Sequence, residues 1–110
     1  MTEHAAPSAR IVLSTAASPE EAARISRELV ERRLAACVNR VPGVASVYRW
    51  QGAIEEAAEV LLVIKTAEEK LPALEAALRE VHSYEVPEFL VLEVSSGSRA
   101  YLDWLLSAVQ

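Results

Sequence analysis

Twice in this chain, a signal for the start of a helix comes directly after a short apolar run. The first signal, Ser18 to Glu21 (SPEE), has the spacing of a capping box with proline at the first helical position. The second signal, Thr66 to Glu69 (TAEE), repeats this spacing, and apolar residues recur at helical intervals after both. Pro72 must lie in or near a first turn, so the second helix begins later than its box. The sequence therefore predicts two strand-to-helix units.

A long strand pair is predicted between the two helices. Residues 37–51 form one long strand with a bulge or bend at Pro42-Gly43, and Tyr48 and Trp50 share one side of it. Residues 52–56 supply the next turn, and residues 59–66 form a second strand with apolar residues on both faces. We expect the two strands to pair as an antiparallel hairpin.

Two further strands and a last helix complete the element order. Residues 10–15 and 89–94 are predicted strands, and residues 95–98 break the chain before a short C-terminal helix. The order β-α-β-β-α-β-α is typical of an α+β, ferredoxin-like split βαβ sandwich, a four-stranded antiparallel sheet with two helices on one face. We expect one domain over residues 10–110, preceded by a flexible tail over residues 1–9.

The second face of the predicted sheet is apolar, and the two helices leave it uncovered. Soluble monomers rarely expose contiguous apolar patches of more than a few hundred Å². A helix of about ten residues is roughly 15 Å long and is too small to cover a whole sheet. The sequence thus predicts a closed, symmetric oligomer of this chain. The aromatic residues expected at its interfaces, with a ligand cavity as the alternative role, are Tyr48, Trp50, Tyr84, Tyr101 and Trp104.

Charge and composition exclude several classes of function. The formal net charge is −5 at pH 7, whereas nucleic acids and anionic membranes select basic surfaces. The longest apolar runs are far shorter than the roughly 18 to 20 residues that cross a bilayer, and the first ten residues lack the apolar stretch of a secretory signal. No nucleophile elbow, phosphate loop or zinc-protease motif occurs. We therefore expect a cytoplasmic protein that is not an enzyme and binds neither nucleic acid nor membrane.

Metal ligation is one candidate chemistry. His82 and Glu85 are three residues apart where the second helix ends, and imidazole with carboxylate suits Cu(II) or Zn(II). The alternative is that His82 caps its helix. The single cysteine, Cys37, is a candidate thiol for Cu(I) or a small core residue. The acidic residues Glu55, Glu56 and Glu59 are candidates for a hard cation or for a solvated hairpin tip.

Anion binding is the other candidate chemistry. Arg33, Arg40 and Lys65, with Arg32, could gather at a subunit boundary and hold an anion through bidentate contacts. Ion pairing between subunits is the alternative, and the residue types do not separate the two.

The chain resembles the CutA family of divalent-cation-tolerance proteins from about Ile11 to Leu106. The segments that carry the resemblance are residues 34–39 (LAACVN), Pro42-Gly43, Ser46, Tyr48, Trp50, Gly52, residues 54–56 (IEE), residues 59–66 (EVLLVIKT), His82, Tyr84, Glu85, Pro87, Glu88, residues 101–102 (YL) and Trp104. The resemblance implies a ferredoxin-like subunit in a homotrimer, similar to the nitrogen-regulatory trimeric signal proteins. It also implies a part in tolerance to copper and other divalent metals, and it implies no catalysis and no required cofactor.

The resemblance also bears on copper ligation. Bacterial relatives with a proposed copper site carry a cysteine near the end of the first strand and two consecutive histidines after the second helix; here Ser14, Val81 and His82 occupy those places. The sequence therefore predicts a non-enzymatic trimer involved in divalent metal tolerance, with Cu²⁺ or another divalent metal as the candidate bound ion. The alternative is a regulatory trimer that binds a small molecule or anion in clefts between subunits.

Overall fold

A computed structural model describes the backbone of residues 3–5 and the whole of residues 8–110. The strands are β1 (Glu3–Ala5), β2 (Ala9–Ala16), β3 (Cys37–Trp50), β4 (Ala53–Ala67), β5 (Leu90–Glu93) and β6 (Ser96–Ser98). The helices are α1 (Pro19–Glu31), α2 (Leu71–Val81) and α3 (Arg99–Ala108), with a 3₁₀ turn at Glu68–Lys70.

The main sheet has four antiparallel strands in the order β3-β4-β2-β5. This order confirms the predicted ferredoxin-like α+β fold. The helices α1 and α2 cover one face, and the core lies between them and the sheet. Its largest fully buried side chains include Ile25 and Leu29 of α1, Leu62 and Ile64 of β4, and Leu74 of α2. We call the opposite side of the sheet the far face.

The two helix-start signals have different outcomes. At α1 one half of the box forms: the Ser18 hydroxyl accepts a hydrogen bond from the Glu21 backbone N–H at 3.1 Å. The Glu21 carboxylate accepts from the backbone N–H of Ala17 at 3.1 Å and not from that of Ser18, and Pro19 is the first helical residue. At α2 the box does not form. Thr66 is fully buried near the end of β4, and its hydroxyl donates to the Leu34 carbonyl at 2.7 Å. A 3₁₀ turn intervenes, so α2 begins at Leu71, later than its box as predicted.

The long hairpin is longer than predicted at its tip. Its turn is only Gln51-Gly52, with positive φ at both residues (50° and 83°), as a type I′ hairpin turn requires. Consequently β4 begins at Ala53, and the prediction of a turn over residues 52–56 is wrong. The predicted bulge is confirmed: the β3–β4 register shifts between Val41 and Val44, across Gly43 with φ 76°. The hairpin extends past β2, whose last pairing is Ala16 with Val60.

The beginning of the chain differs from the predicted tail over residues 1–9. The backbone of Glu3–Ala5 forms β1, which pairs antiparallel with β6, because the short strand Ser96–Ser98 offers it unpaired backbone groups. Ala9 is buried and is the first residue of β2. The rest of the tail prediction, at residues 1, 2, 6 and 7, lies outside the described residues.

The far face is apolar and is open in the single chain. Strand pairing brings Ile11 beside Leu92, and Leu13 between Val63 and Leu90. The helix α3 does not cover these residues; its Leu105 packs with Ala36 and Ala67 at one end of the sheet. Leu90 and Leu92 are 57% and 47% exposed. None of the helices in the described residues is long and apolar enough to cross a membrane.

Candidate functional site

His82 lies just after α2, and its side chain is fully buried. Its Nδ1 accepts a hydrogen bond from the Tyr84 backbone N–H at 3.0 Å, and its Nε2 lies 2.6 Å from the Thr15 carbonyl oxygen. A neutral ring that accepts at Nδ1 carries its proton on Nε2, so Nε2 donates to Thr15. Both ring nitrogens are therefore engaged by backbone groups, and the ring has no free lone pair for a metal.

Glu21 joins α1 to the loop that follows His82. Its carboxylate accepts hydrogen bonds from the backbone N–H groups of Ser83 at 2.8 Å and Ala17 at 3.1 Å, and it lies 3.8 Å from Nδ1 of His82. Burial alone would raise the pKa of this carboxyl. The hydrogen bonds from Ser83 and Ala17 outweigh burial and hold the pKa of Glu21 below its usual value. The carboxylate thus fixes the position of the loop in its charged form.

A second buried carboxylate lies at Glu59, on the far face of β4. The Tyr84 hydroxyl donates to it at 2.6 Å, and the hydroxyls of Ser46 and Thr15 lie on the same face and also favour its charged form. Burial acts to raise the pKa of Glu59. The hydrogen bonds lower this pKa by more than burial raises it, so the net shift is downward. Burial and the same carboxylate raise the pKa of Tyr84 above its usual value. His82, Glu21, Tyr84 and Glu59 thus form one connected group, which we call the buried polar network.

The predicted metal ligands do not form a cluster. Glu85 is exposed, and no group of three or more His, Cys, Asp or Glu side chains within residues 8–110 is arranged to hold a metal ion. Ser14 is fully buried, and its hydroxyl has no hydrogen-bond partner in the described part of the chain. Cys37 is half-buried at the start of β3 and not part of the main core. Metal ligation by His82 and Glu85 therefore stays a prediction.

The structure does not bring the predicted anion-binding residues together within one chain. Arg33 donates to the Gln110 carbonyl at 2.9 Å, beyond the end of α1. Lys65 lies on the far face and contacts Tyr101, with 3.5 Å between its Nζ and the hydroxyl. Arg40 pairs in register with Leu62, whose side chain faces α1 and α2, so Arg40 lies on the opposite side of the sheet from Lys65.

The aromatic residues predicted at interfaces have different surroundings. Tyr48 and Trp50 are exposed near the tip of the hairpin, and Tyr101 and Trp104 stack at 5.3 Å on α3 with nearly half of each exposed. Tyr84 instead belongs to the buried polar network and packs against His82, with ring centroids 4.7 Å apart and ring planes tilted by 41°.

Sequence reasoning missed Glu21 and the true place of Glu59. Glu59 was grouped with the hairpin tip, but it is buried within β4. The available signal was its position directly before the apolar run Val60 to Ile64, where an acidic side chain must find hydrogen-bond donors. Glu21 is part of a capping box, which accounts for its position without a longer-range contact.

The lowered pKa of Glu21 predicts a specific pH dependence of stability. A carboxyl with a lower pKa in the folded chain stabilises the fold above its unfolded pKa, near 4.5, and this contribution is lost as the pH falls through the folded value. We expect Glu21→Gln to cost about 1–2 kcal/mol at pH 7 and progressively less below pH ~4.5. Urea unfolding of both proteins across this range measures the difference.

The matched control is Glu20→Gln, a change at the exposed neighbouring position on the same helical turn. It should give a small difference at every pH. A Glu21→Gln cost that does not change between pH 7 and pH 3 would contradict the assigned role of the carboxylate.

A family model described as CutA1 divalent ion tolerance protein matches residues 10–108. Among characterised relatives, the divalent-cation tolerance protein CutA of Thermus thermophilus is 50% identical over 95 residues, which cover 86% of this chain and 92% of that protein. Mouse protein CutA is 47% identical over 91 residues, or 83% of this chain, and the match spans about half (51%) of its length.

Solved structures agree with these sequence matches. The structure of CutA from Synechococcus elongatus superimposes with a TM-score of 0.94 at 39% identity and covers 99% of this chain and 96% of that one. The T. thermophilus structure superimposes with a TM-score of 0.89 at 47% identity, covering 91% of this chain and 97% of that one. A match over residues 10–108, together with this fold, shows that the chain belongs to the CutA1 family of divalent ion tolerance proteins.

Proposed function

We propose that this chain works as a non-enzymatic homotrimer in tolerance to divalent metal ions, copper among them. The observation that carries the proposal is the family match over residues 10–108. Family membership speaks for the tolerance role, and the relatives are named as tolerance proteins. The absence of catalysis is supported by the buried polar network, because its imidazole and carboxylates are used in hydrogen bonds that hold the loop after α2.

Self-association is supported by the far face. Adjacent rows on this face are formed by Ile11, Leu13, Val63, Leu90 and Leu92, and no helix in the part of the chain that the structure describes covers them. Contact with other copies would remove this apolar surface from water at about 25 cal/mol per Å². The hairpin beyond Val60, with Tyr48 and Trp50 near its tip, offers the aromatic anchors that such interfaces use.

Cu²⁺ is the bound ion that we propose, with His82 and Glu85 as its predicted contacts and no cofactor required. Contact at His82 has a definite requirement, because Nδ1 must first release the Tyr84 backbone N–H. Calorimetric titration with Cu(II) tests whether the ion binds, and titration of variants tests which residues hold it. Absence of binding heat would contradict the role of copper, whichever residues hold the ion.

The contact residues are tested with His82→Gln, which retains a donor and an acceptor and so favours a folded variant. We expect the affinity for Cu(II) to fall tenfold or more in His82→Gln and in Glu85→Gln, because each change removes one proposed contact. Isotherms that match that of the unaltered chain would show that the ring keeps its hydrogen bonds to Tyr84 and Thr15 and that other residues hold the ion. Glu80→Gln, on the exposed side of α2, is the control.

A second candidate function is a regulatory trimer that holds a small molecule or anion in clefts between subunits. One observation favours it: CutA from S. elongatus has been solved in complex with a Bis-Tris molecule. Within a single chain, Arg33, Arg40 and Lys65 have separate surroundings, so an anion site that used all of them would need more than one subunit. A rise in melting temperature with Bis-Tris but not with Cu(II) would favour this candidate.

We also propose a cytoplasmic location, on the basis of the sequence alone. Relatives are named for other compartments: the rice relative is called chloroplastic and the Archaeoglobus fulgidus structure periplasmic. Fractionation of the cells that produce the protein decides the location.

A further inference from the structure

A groove runs along the outer side of α1, on the helix-bearing face of the sheet. Its volume is about 480 Å³, within the range of 300–1,000 Å³ that small-molecule sites occupy. The residues that line it are Ala23, Ser26, Arg27, Val30, Glu31, Val38 and Arg40. One wall is α1 and the other is the beginning of β3, the edge strand of the sheet.

The groove is lined by both apolar and polar side chains, with two arginines and one glutamate among them. Ala23, Val30 and Val38 supply the apolar surface, and Val30 is 42% exposed although it lies on a core-packed helix. The Ser26 hydroxyl is already used, because it donates to the Ala22 carbonyl at 2.6 Å. The groove therefore has an apolar wall that favours a hydrocarbon group. Ser26 has no free hydroxyl proton to donate to a ligand.

The charges at the rim do not balance. Arg27 pairs with Glu31 at 3.4 Å, and both side chains are largely exposed. Within residues 8–110, the Arg40 side chain forms no ion pair or hydrogen bond. One positive charge thus remains beside the apolar wall, in a chain whose formal net charge is −5. A guanidinium presents paired N–H donors that match a carboxylate in a bidentate contact.

We propose that this groove binds a small amphipathic carboxylate, with its hydrocarbon part against Val30 and Val38 and its carboxylate on Arg40. The charge selects an anion, and the apolar wall selects a ligand with a hydrocarbon part over a simple inorganic ion. The groove belongs to a single chain and lies on the side of the sheet opposite the far face. Its occupation therefore requires neither a metal ion nor the trimer proposed above, and either proposal can fail without the other.

Sodium octanoate is the probe for this site. Calorimetric titration of the full chain with acetate, butanoate, hexanoate and octanoate at constant ionic strength should show affinity rising about two- to fourfold per added CH₂ until the groove is filled. Octyltrimethylammonium, with the same chain length and opposite charge, should bind at least tenfold more weakly than octanoate. Equal affinity for the two probes, or an affinity independent of chain length, would overturn the proposal.

Two arginine variants locate the carboxylate. Arg40→Gln should weaken octanoate binding about tenfold or more, because a hydrogen-bonded charge is lost at an exposed position that the fold does not need. Arg79→Gln removes an equal charge from the exposed side of α2 and should leave the affinity unchanged. Equal effects of the two changes would overturn the assignment to Arg40.

Amide chemical shifts and molecular mass complete the test. Octanoate should shift the signals of Ala23, Val30, Val38 and their neighbours, and shifts confined to other surfaces would overturn the proposed site. The mass measured by light scattering should stay the same when octanoate is added. A fall in mass would show that the groove is occupied by a second copy of the chain, which would also overturn the proposal.

Discussion

Replacing Leu90 by glutamate is expected to release monomers of 12.0 kDa from an assembly of about three times that mass. In the single chain Leu90 is 57% exposed on the far face, where it pairs in register with Leu13, so the subunit itself loses little by the change. In the assembly the new carboxylate would be buried against apolar neighbours, at a cost of several kcal/mol per chain. Sedimentation velocity at low micromolar concentration measures the mass.

The control for Leu90→Glu is Val30→Glu, which adds the same charge on the helix-bearing side at a position that is 42% exposed. This variant should keep the mass of the unaltered chain. Leu13→Glu, at the centre of the far face, should repeat the effect of Leu90→Glu. If Leu90→Glu and Val30→Glu have the same mass as the unaltered chain, the far face is not the interface.

The elements of this fold could be predicted from local signals, and the errors occur where a tertiary contact decides. At SPEE the Ser18 hydroxyl caps α1 through the Glu21 backbone N–H, a contact between residues three apart that a local pattern encodes. The TAEE box fails because Thr66 is inside the core, where the Leu34 carbonyl takes its hydroxyl proton. Likewise, the turn at Gln51-Gly52 depends on a residue other than glycine adopting positive φ, which composition does not indicate.

The faces of the long strand illustrate a second limit. Arg40 and Tyr48 both have even numbers, and strict alternation would place them on one side. The extra residue at the bulge between Val41 and Val44 reverses the alternation, so Arg40 lies with Leu62 on the helix-bearing side and Tyr48 lies on the far side. Arg40 and Lys65 lie on opposite faces independently of the bulge, because Lys65 pairs with Cys37, three residues before Arg40 on the same strand.

The candidate site was predictable only in part, because its partners are distant in sequence. His82 was recognised from its residue type and its place after a helix. Its contact with Thr15 spans 67 residues and the contact of Ser83 with Glu21 spans 62. No local pattern encodes such distances, so the sequence could not decide between a metal ligand and a buried structural histidine.

His82→Ala is expected to lower the free energy of unfolding by about 3 kcal/mol. The change leaves the Thr15 carbonyl and the Tyr84 N–H without their partners at a buried position, at a cost of about 1–3 kcal/mol each before relaxation, and it opens a cavity beside the Tyr84 ring. His82→Gln, which keeps one donor and one acceptor, should lose less. Urea unfolding at matched protein concentration measures all three proteins.

A local measurement shows whether the effect acts through the loop after α2. The protease Glu-C cleaves after glutamate, and Glu85 and Glu88 lie in this loop, which the His82 ring holds through Tyr84. We expect native-state cleavage there to rise in His82→Ala and to stay low in Arg79→Gln, a change at an exposed position on α2. If His82→Ala is as stable as the unaltered chain and is cleaved no faster, the ring does not hold the loop. Its two short hydrogen bonds would then contribute nothing to the fold, and His82 would again be free to serve as a ligand.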